Sequence, residues 1–139
     1  VIVDVVGYIT SSEATTSTLG LFVPIVPGRA YDSRNSSPFA MGESRVIGLG
    51  FGPSPLRVVP PGAAGVSANL TVATPANGGF LTVYPNSEPK TSNLNFAAGQ
   101  TVANASLLAL DVDGEVTAKM SQAGHVIIDI NGYFMAATS

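Results

Sequence analysis

The chain has 139 residues, of which 45% are hydrophobic and 11% charged, with a formal net charge of -3. This length predicts one domain with a two-layer core. Six scattered Lys and Arg residues cannot neutralise a run of phosphates, no apolar run reaches the ~20 residues of a membrane helix, and cysteine is absent, so nucleic-acid binding, membrane insertion and thiolate chemistry are not expected.

The first predicted element is a near copy of the last. Val1–Ile9, with the sequence VIVDVVGYI, aligns with VIIDINGYF at Val126–Phe134, nearly a whole domain length away. A repeat of this period is typical of tandem domains, so residues 1–9 are interpreted as the closing strand of a preceding unit. Two alternatives stay open: both strands belong to one domain, or the first is donated to a neighbouring subunit. The residues predicted to link subunits or domains are Val1, Ile2, Val3, Asp4, Val5, Val6, Gly7 and Tyr8.

Residues 10–18 contain no large apolar side chain and are predicted to be a linker. From residue 19 onward, short alternating runs separated by Gly, Pro and Asn predict β-strands almost throughout. Residues 19–139 are therefore predicted to form one all-β, antiparallel β-sandwich with jelly-roll or immunoglobulin-like strand order. Residues 28–45 form the longest predicted irregular segment, and loops of this length are often functional.

The strand runs predict which residues form the core. Residues 66–73 alternate strictly between apolar and polar positions, and the runs at 81–84 and 93–96 repeat the pattern. The turns between these runs predict a meander of three neighbouring strands. Residues 105–112 are apolar on both faces, which predicts a central strand. The predicted inner layer comprises Val3, Val66, Leu70, Val72, Leu81, Val83, Leu94, Phe96, Leu108, Leu110, Val116, Ile128 and Ile130.

The outward positions of the meander predict a polar face. Carbohydrate-binding proteins use such surfaces, but so do ordinary sandwich exteriors and flat faces that stack between subunits. The presence of one tyrosine and no tryptophan in this set gives sugar stacking little support. The candidate binding face consists of Asn69, Thr71, Thr82, Tyr84, Asn93 and Asn95.

Two further groups of charged residues attract attention. Asp4 and Asp129 lie within otherwise apolar strands, and a buried carboxylate must find donors or a cation. Arg29 or Arg34 is expected to supply them, which makes the aspartate a structural anchor of strand register, with ligand binding as the less favoured role. Asp32 and Arg34 are predicted to tie the long loop through an ion pair, and the alternative is recognition of a partner carboxylate or sugar.

The remaining polar candidates do not indicate catalysis. His125 is the single histidine and is interpreted as a turn or edge residue rather than a base. Asp111, Asp113 and Glu115 flank a glycine turn and suit calcium in part, but they lack the other ligands of a calcium loop, so a solvated turn is favoured. A hydrolase built from carboxylates alone would need an acid–base pair, which the dispersed Asp and Glu residues do not suggest. We therefore expect no catalytic residue, metal or cofactor.

Six segments, taken in order along the chain, are similar to a family of secreted bacterial surface β-domains. They are PGRAYDSR at 27–34, ANLTV at 68–72, GFLTVYP at 79–85, SNLNF at 92–96, GQTVAN at 99–104 and IDINGYF at 128–134. Members of this family, mostly uncharacterised, occur alone, in tandem or appended to cell-wall hydrolases. The resemblance implies an exported, surface-associated role and no known activity.

Together these features predict a non-catalytic extracellular structural protein, a self-associating unit of a surface fibre, sheath or tandem-domain stalk. Its expected partners are copies of itself or adjacent domains of the same type. The alternative is an accessory adhesive or carbohydrate-binding module that targets the cell wall or extracellular polysaccharide.

Overall fold

The chain folds into two antiparallel sheets of four strands each, as seen in a computed structural model that describes Val1, Val3, Val5 and residues 20–49 and 59–135. Helix is limited to one 3₁₀ turn at Ser33–Asn35 within these ranges, and nothing there has the length and apolarity of a membrane-spanning helix. The all-β sandwich predicted from alternation is confirmed. The strands are β1 Phe22–Asp32, β2 Ser44–Gly48, β3 Gly65–Ala73, β4 Gly79–Tyr84, β5 Leu94–Phe96, β6 Val102–Ala109, β7 Glu115–Met120 and β8 His125–Phe134.

The strand order is that of a jelly roll. One sheet has the order β1-β8-β3-β6 and the other β2-β7-β4-β5. The pairs β1–β8, β2–β7, β3–β6 and β4–β5 are antiparallel, as in one long hairpin rolled up so that successive pairs fall in alternate sheets. The ladders β3–β8 and β4–β7 join these pairs edge to edge. Of the two orders predicted, the jelly roll is therefore correct, and the immunoglobulin-like order is wrong.

The core lies between the sheets and contains most of the predicted inner layer. Strict alternation puts Val66, Ala68, Leu70 and Val72 of β3 inside, and each is essentially inaccessible to solvent. Leu110 is only partly buried but packs against the core. The prediction that Val3 belongs to the inner layer is wrong, because this residue is 78% exposed. The other predicted inner residues, all buried, are Leu81, Val83, Leu94, Phe96, Leu108, Val116, Ile128 and Ile130.

Two predictions about strand neighbours are wrong. The segment predicted as a central strand is largely β6, which lies at an edge of its sheet and exposes Ala103, Ala105 and Leu107. The predicted meander also does not form, because β3 lies in one sheet and β4 and β5 lie in the other. The turn at 74–78 is a crossover between sheets, and its positive φ falls on Thr74 rather than on a glycine. Local alternation cannot tell a hairpin from a crossover, since both join strands of the same pattern.

The chain enters and leaves the sandwich at the same place, which we call the entry end. Phe22 at the start of β1 is paired with Phe134 at the end of β8. Beyond this pair, Gly20 N–H donates to the Met135 carbonyl at 3.1 Å, and Met135 N–H donates to the Leu21 carbonyl at 2.9 Å. The residues just before β1 and just after β8 therefore lie side by side at the entry end.

Candidate functional site

The strand that residues 1–9 duplicate, β8, occupies the middle of its sheet. It is paired along its length with β1 on one side and β3 on the other. Val126, Ile128 and Ile130 point into the core and are buried. β8 therefore closes the jelly roll, and the place between β1 and β3 holds this one strand.

An ion pair fixes β8 against β1. Asp129 points out of the sheet opposite Arg29, as the register of the two strands requires. Arg29 Nε and Nη2 donate to the two carboxylate oxygens of Asp129 at 2.8 and 3.2 Å. This bidentate contact is the anchor that the sequence predicted, with Arg29 as the partner. Hydrogen bonding to Asp129 raises the pKa of Arg29.

The ion pair continues into the loop after β1. Arg29 Nη1 lies 3.4 Å from Asp32, and Arg34 Nη2 donates to the same carboxylate at 2.7 Å. The predicted Asp32–Arg34 ion pair is thus present. The hydrogen bonds from Arg34 hold the pKa of Asp32 down at about 2. The four charges sum to zero, and they brace the corner where β1 passes into its 3₁₀ turn.

A buried serine links this corner to the start of β8. Ser33 is 0% exposed, and its hydroxyl accepts a hydrogen bond from the Val126 backbone N–H at 3.0 Å. The same oxygen lies 3.0 Å from Nδ1 of His125. The pair resembles the start of a catalytic dyad, but a hydroxyl without solvent contact cannot reach an external substrate. Its effect is to join the loop to β8.

A cavity of about 390 Å³ opens on the outer face above the Arg29–Asp129 pair. It lies where β1 and β8 both bulge, since the register shifts between Pro24 and Gly28 on β1 and at Asn131 on β8. Bulges of this kind redirect side chains and are common beside binding sites. The lining residues are Pro27, Gly28, Arg29, Asn69, Asp129, Ile130 and Asn131.

The end of β8 contacts an aromatic side chain of β1. The Phe22 ring lies over Gly132, where a Cβ atom would come within 2.2 Å of the ring. The ring centroids of Phe22 and Phe134 are 5.2 Å apart. Tyr133, between Gly132 and Phe134, packs against the core. Glycine at position 132 therefore leaves room for the ring above it.

The predicted linking segment lies mostly outside the described residues. Ile2, Asp4, Val6, Gly7 and Tyr8 are not among them, nor is the predicted linker at 10–18. Val1, Val3 and Val5 are described, and all three are exposed.

The predicted polar face is not one surface. Asn69 and Thr71 lie on β3, in one sheet, and the other four candidates lie on or next to strands of the opposite sheet. Thr82 is only 2% exposed. Asn93 uses its side-chain oxygen to accept the Val83 N–H at 2.8 Å, which ties a loop to β4. The single platform of Asn69, Thr71, Thr82, Tyr84, Asn93 and Asn95 is therefore a wrong prediction, because β3 and β4 belong to different sheets.

The acidic turn between β6 and β7 is organised by one carboxylate. Asp111 Oδ1 accepts the backbone N–H of Asp113 at 3.0 Å and that of Glu115 at 2.8 Å. This is the behaviour of an aspartate that closes a turn on itself. The described ranges hold no group of three or more potential metal ligands.

Sequence reasoning missed two contacts that shape the molecule. Arg45 was not singled out, yet its guanidinium lies 4.1 Å from the centroid of the buried Phe39 ring and donates to Glu43 and to the carbonyls of Ser37 and Pro38. No local pattern marks such a residue. The seat of the Phe22 ring was also missed, although glycine recurs at the same place in both copies of the closing strand.

No protein-family model matches the chain, and comparison with curated proteins gives no match.

Proposed function

We propose that the chain is a non-catalytic extracellular structural unit in an array of jelly-roll domains, and that residues 1–9 are the closing strand of the preceding unit. The partners are then adjacent domains of the same type. This proposal makes residues 1–9 the link between units, because the strand belongs to one domain and its continuation to the next.

The main support for this proposal is that residues 1–9 have the same or similar side chains at the positions whose roles are seen in β8. Val1, Val3 and Val5 correspond to the core residues Val126, Ile128 and Ile130. Asp4 corresponds to Asp129, the partner of Arg29, and Tyr8 to Tyr133, which packs on the core. Gly7 corresponds to Gly132, whose missing Cβ leaves room for the Phe22 ring. A hydrophobic strand that is not a closing strand would not need Asp, Gly and Tyr at these positions.

The position of β8 favours a preceding unit over the alternatives. β1 and β3 already pair with β8, so a second strand of the same design cannot lie between them and could join this sheet only at its β1 or β6 edge. The closing strand of the domain also has Ile at two core positions where residues 1–9 have Val, and Ile buries more apolar surface. We therefore expect β8, rather than residues 1–9, to occupy the place between β1 and β3 in this domain.

The surface supports a structural, extracellular role. Only 11% of the residues are charged, so that neighbouring copies repel each other weakly. The resemblance to secreted bacterial surface β-domains points to the same compartment. The charges of the cluster at Arg29 are paired with one another, and Ser33, beside His125, is buried. Both groups therefore stabilise the fold rather than bind an external molecule.

The experiment converts β8 into a copy of residues 1–9 with four substitutions: Ile128→Val, Ile130→Val, Asn131→Val and Phe134→Ile. We expect a folded domain that is less stable by ~1–4 kcal/mol, because each buried Ile→Val costs ~0.5–1.5 kcal/mol and the Phe22 ring loses its partner. The control places the sequence of residues 2–10 at 126–134. This shifts the pattern by one residue and includes Ile128→Asp in the core, so it should not fold. Circular dichroism and urea unfolding give the readout.

Two outcomes decide the proposal. If the four-residue variant is as unfolded as the slipped control, residues 1–9 are not a closing strand. Removal of residues 1–19 separates the array from the single-domain alternative. The array predicts an unchanged melting temperature, whereas a strand that completes this domain predicts a clear loss.

A second candidate function rests on the cavity at the two bulges. Asn69, Asp129 and Asn131 line it, and amide and carboxylate groups suit the hydroxyls of a neutral sugar. In this role the chain is an accessory module that binds cell-wall or extracellular polysaccharide. Co-sedimentation with insoluble cell-wall glycan tests it. Retention that is lost in Asn69→Ala/Asn131→Ala supports the second function, and no retention of the native chain removes it.

A further inference from the structure

The outer face of the β1-β8-β3-β6 sheet is apolar at the entry end. Strand pairing places Phe22, Phe134, Gly65 and Ala109 in one row across the four strands. The adjacent row contains Leu107. Tyr133 and Leu108 face the core, so their neighbours Phe134, Leu107 and Ala109 face outward. We call Phe22, Phe134, Leu107 and Ala109 the entry-end patch.

Phe22 and Ala109 of the entry-end patch are exposed, Phe134 is half-buried, and Leu107 lines a cavity that Val5 of the same chain also lines. Phe22 is 48% exposed and Leu107 is 43% exposed. Its two rows contain no charged residue. The nearest charges on this face, Arg29 and Asp129, neutralise each other. An apolar centre with a polar margin is the composition of a protein–protein contact rather than of a sugar site.

The course of the chain selects the occupant of the patch. The two described residues at which β1 begins and β8 ends, Phe22 and Phe134, are both members of the patch. In the proposed array, residue 9 holds the place of Phe134 in the preceding unit, and residues 10–21 then lead directly to Phe22. This connection spans at most ~45 Å when extended, and ~20 Å as a flexible coil. It joins the patch of one unit to the patch of the next.

We infer that the entry-end patch docks onto the same patch of the adjacent copy. The inference rests on the proposed array, since the array supplies the tether. A short flexible tether gives the two faces an effective concentration on the order of 1 mM, so a weak contact suffices to hold them together. The contact is self-complementary, with Phe22 of one copy against Leu107 of the other, and such a contact closes after two copies. Successive units therefore associate in pairs.

The first test uses the separate chain. Sedimentation equilibrium should show a reversible dimer with a Kd at or below about 1 mM, the concentration that the tether provides. Phe22→Ser and Leu107→Ser should each weaken it at least about tenfold, as expected for central apolar contacts. Val46→Ser is the matched control, because Val46 is an exposed valine on the opposite sheet. It should leave the Kd unchanged.

The second test uses a fusion in which residues 1–134 are followed directly by residues 10–139. Small-angle scattering should give a compact pair, which opens when both copies have Phe22→Ser. A Kd far above 1 mM, or equal weakening by Val46→Ser and Phe22→Ser, overturns the docking inference. The proposed array is tested separately, because the strand-exchange variant of β8 is judged by whether it folds. A failure of that variant with an intact dimer removes the array but leaves the patch as a contact between separate chains.

Discussion

Gly132 and Phe22 form a pair whose energetic coupling can be worked out from the structure. In Gly132→Ala, the added Cβ would lie 2.2 Å from Cζ and 2.3 Å from Cε2 of the Phe22 ring. Cβ atoms essentially never come this close to nonbonded atoms, so the ring must leave its place. The ring can move because it is at the surface, and the backbone at Gly132 does not have a positive φ.

The expected magnitude follows from what the ring loses and what the backbone gains. Displacement of the Phe22 ring gives up its contact with Phe134, worth ~0.5–1.5 kcal/mol, and part of its buried surface. Alanine in a strand recovers ~0.5–1 kcal/mol of backbone entropy relative to glycine. We expect Gly132→Ala to cost ~1–2 kcal/mol in the native background. In Phe22→Ala, where only the Val23 carbonyl at 3.0 Å remains close, we expect the same change to be within about 0.5 kcal/mol of neutral.

Urea unfolding of the four proteins in this double-mutant cycle provides the measurement, with equal m values as the condition for comparison. A coupling of at least about 1 kcal/mol is expected. If Gly132→Ala costs the same in both backgrounds, the glycine does not serve the ring, and the correspondence between Gly7 and Gly132 loses its structural meaning.

Three further predictions concern the corner between β1 and β2. Ser33→Ala should cost ~1–3 kcal/mol in thermal unfolding because it leaves a buried N–H unpaired, whereas the neighbouring exposed Ser36→Ala should be nearly neutral. Arg45→Lys should cost ~1–3 kcal/mol and speed hydrogen exchange in residues 33–43, because lysine cannot reproduce the forked contacts; unchanged exchange would contradict this. The pKa of Asp32 is lowered to about 2 from 3.8, so its stabilisation is complete above pH 3.8 and is lost as the pH falls towards 2. Asp32→Asn should therefore flatten the pH dependence of stability in that window, and an equally steep profile would count against the ion pair.

Much of the fold is encoded in local alternation. The period of two along residues 66–73 and 81–84 identifies core positions directly, because neighbouring side chains of a strand point to opposite faces. The anchor at Asp129 was also predictable, since a carboxylate in an apolar strand needs a cationic partner and Arg29 is one of few cations in the chain, but the segment at 28–32 that was predicted to be irregular belongs to strand β1.

The assignment of strands to sheets was not predictable in this way. β3 and β4 are neighbours along the chain and have the same pattern, yet they lie in different sheets because the rolled hairpin pairs β4 with β5 and β7. β6 has the apolar composition of a central strand, but it is an edge strand whose Leu107 is exposed. Such residues reveal their role only when the partners across the sheet are known. The prediction of a single polar face is wrong for the same reason.

The pairing of Phe22 with Phe134 also determines how the domain responds to tension. A pull along the polypeptide enters at the start of β1 and leaves at the end of β8, two residues that face each other across a single ladder. Ladder bonds run perpendicular to the strands, so the load falls on one bond at a time, starting at the bond between Gly20 and Met135 and moving inward past Phe22. The two strands therefore separate by unzipping, one hydrogen bond after another, instead of being loaded in shear. Stretched, an array of such domains lengthens one domain after another at low force, and each released domain becomes slack chain that absorbs further extension.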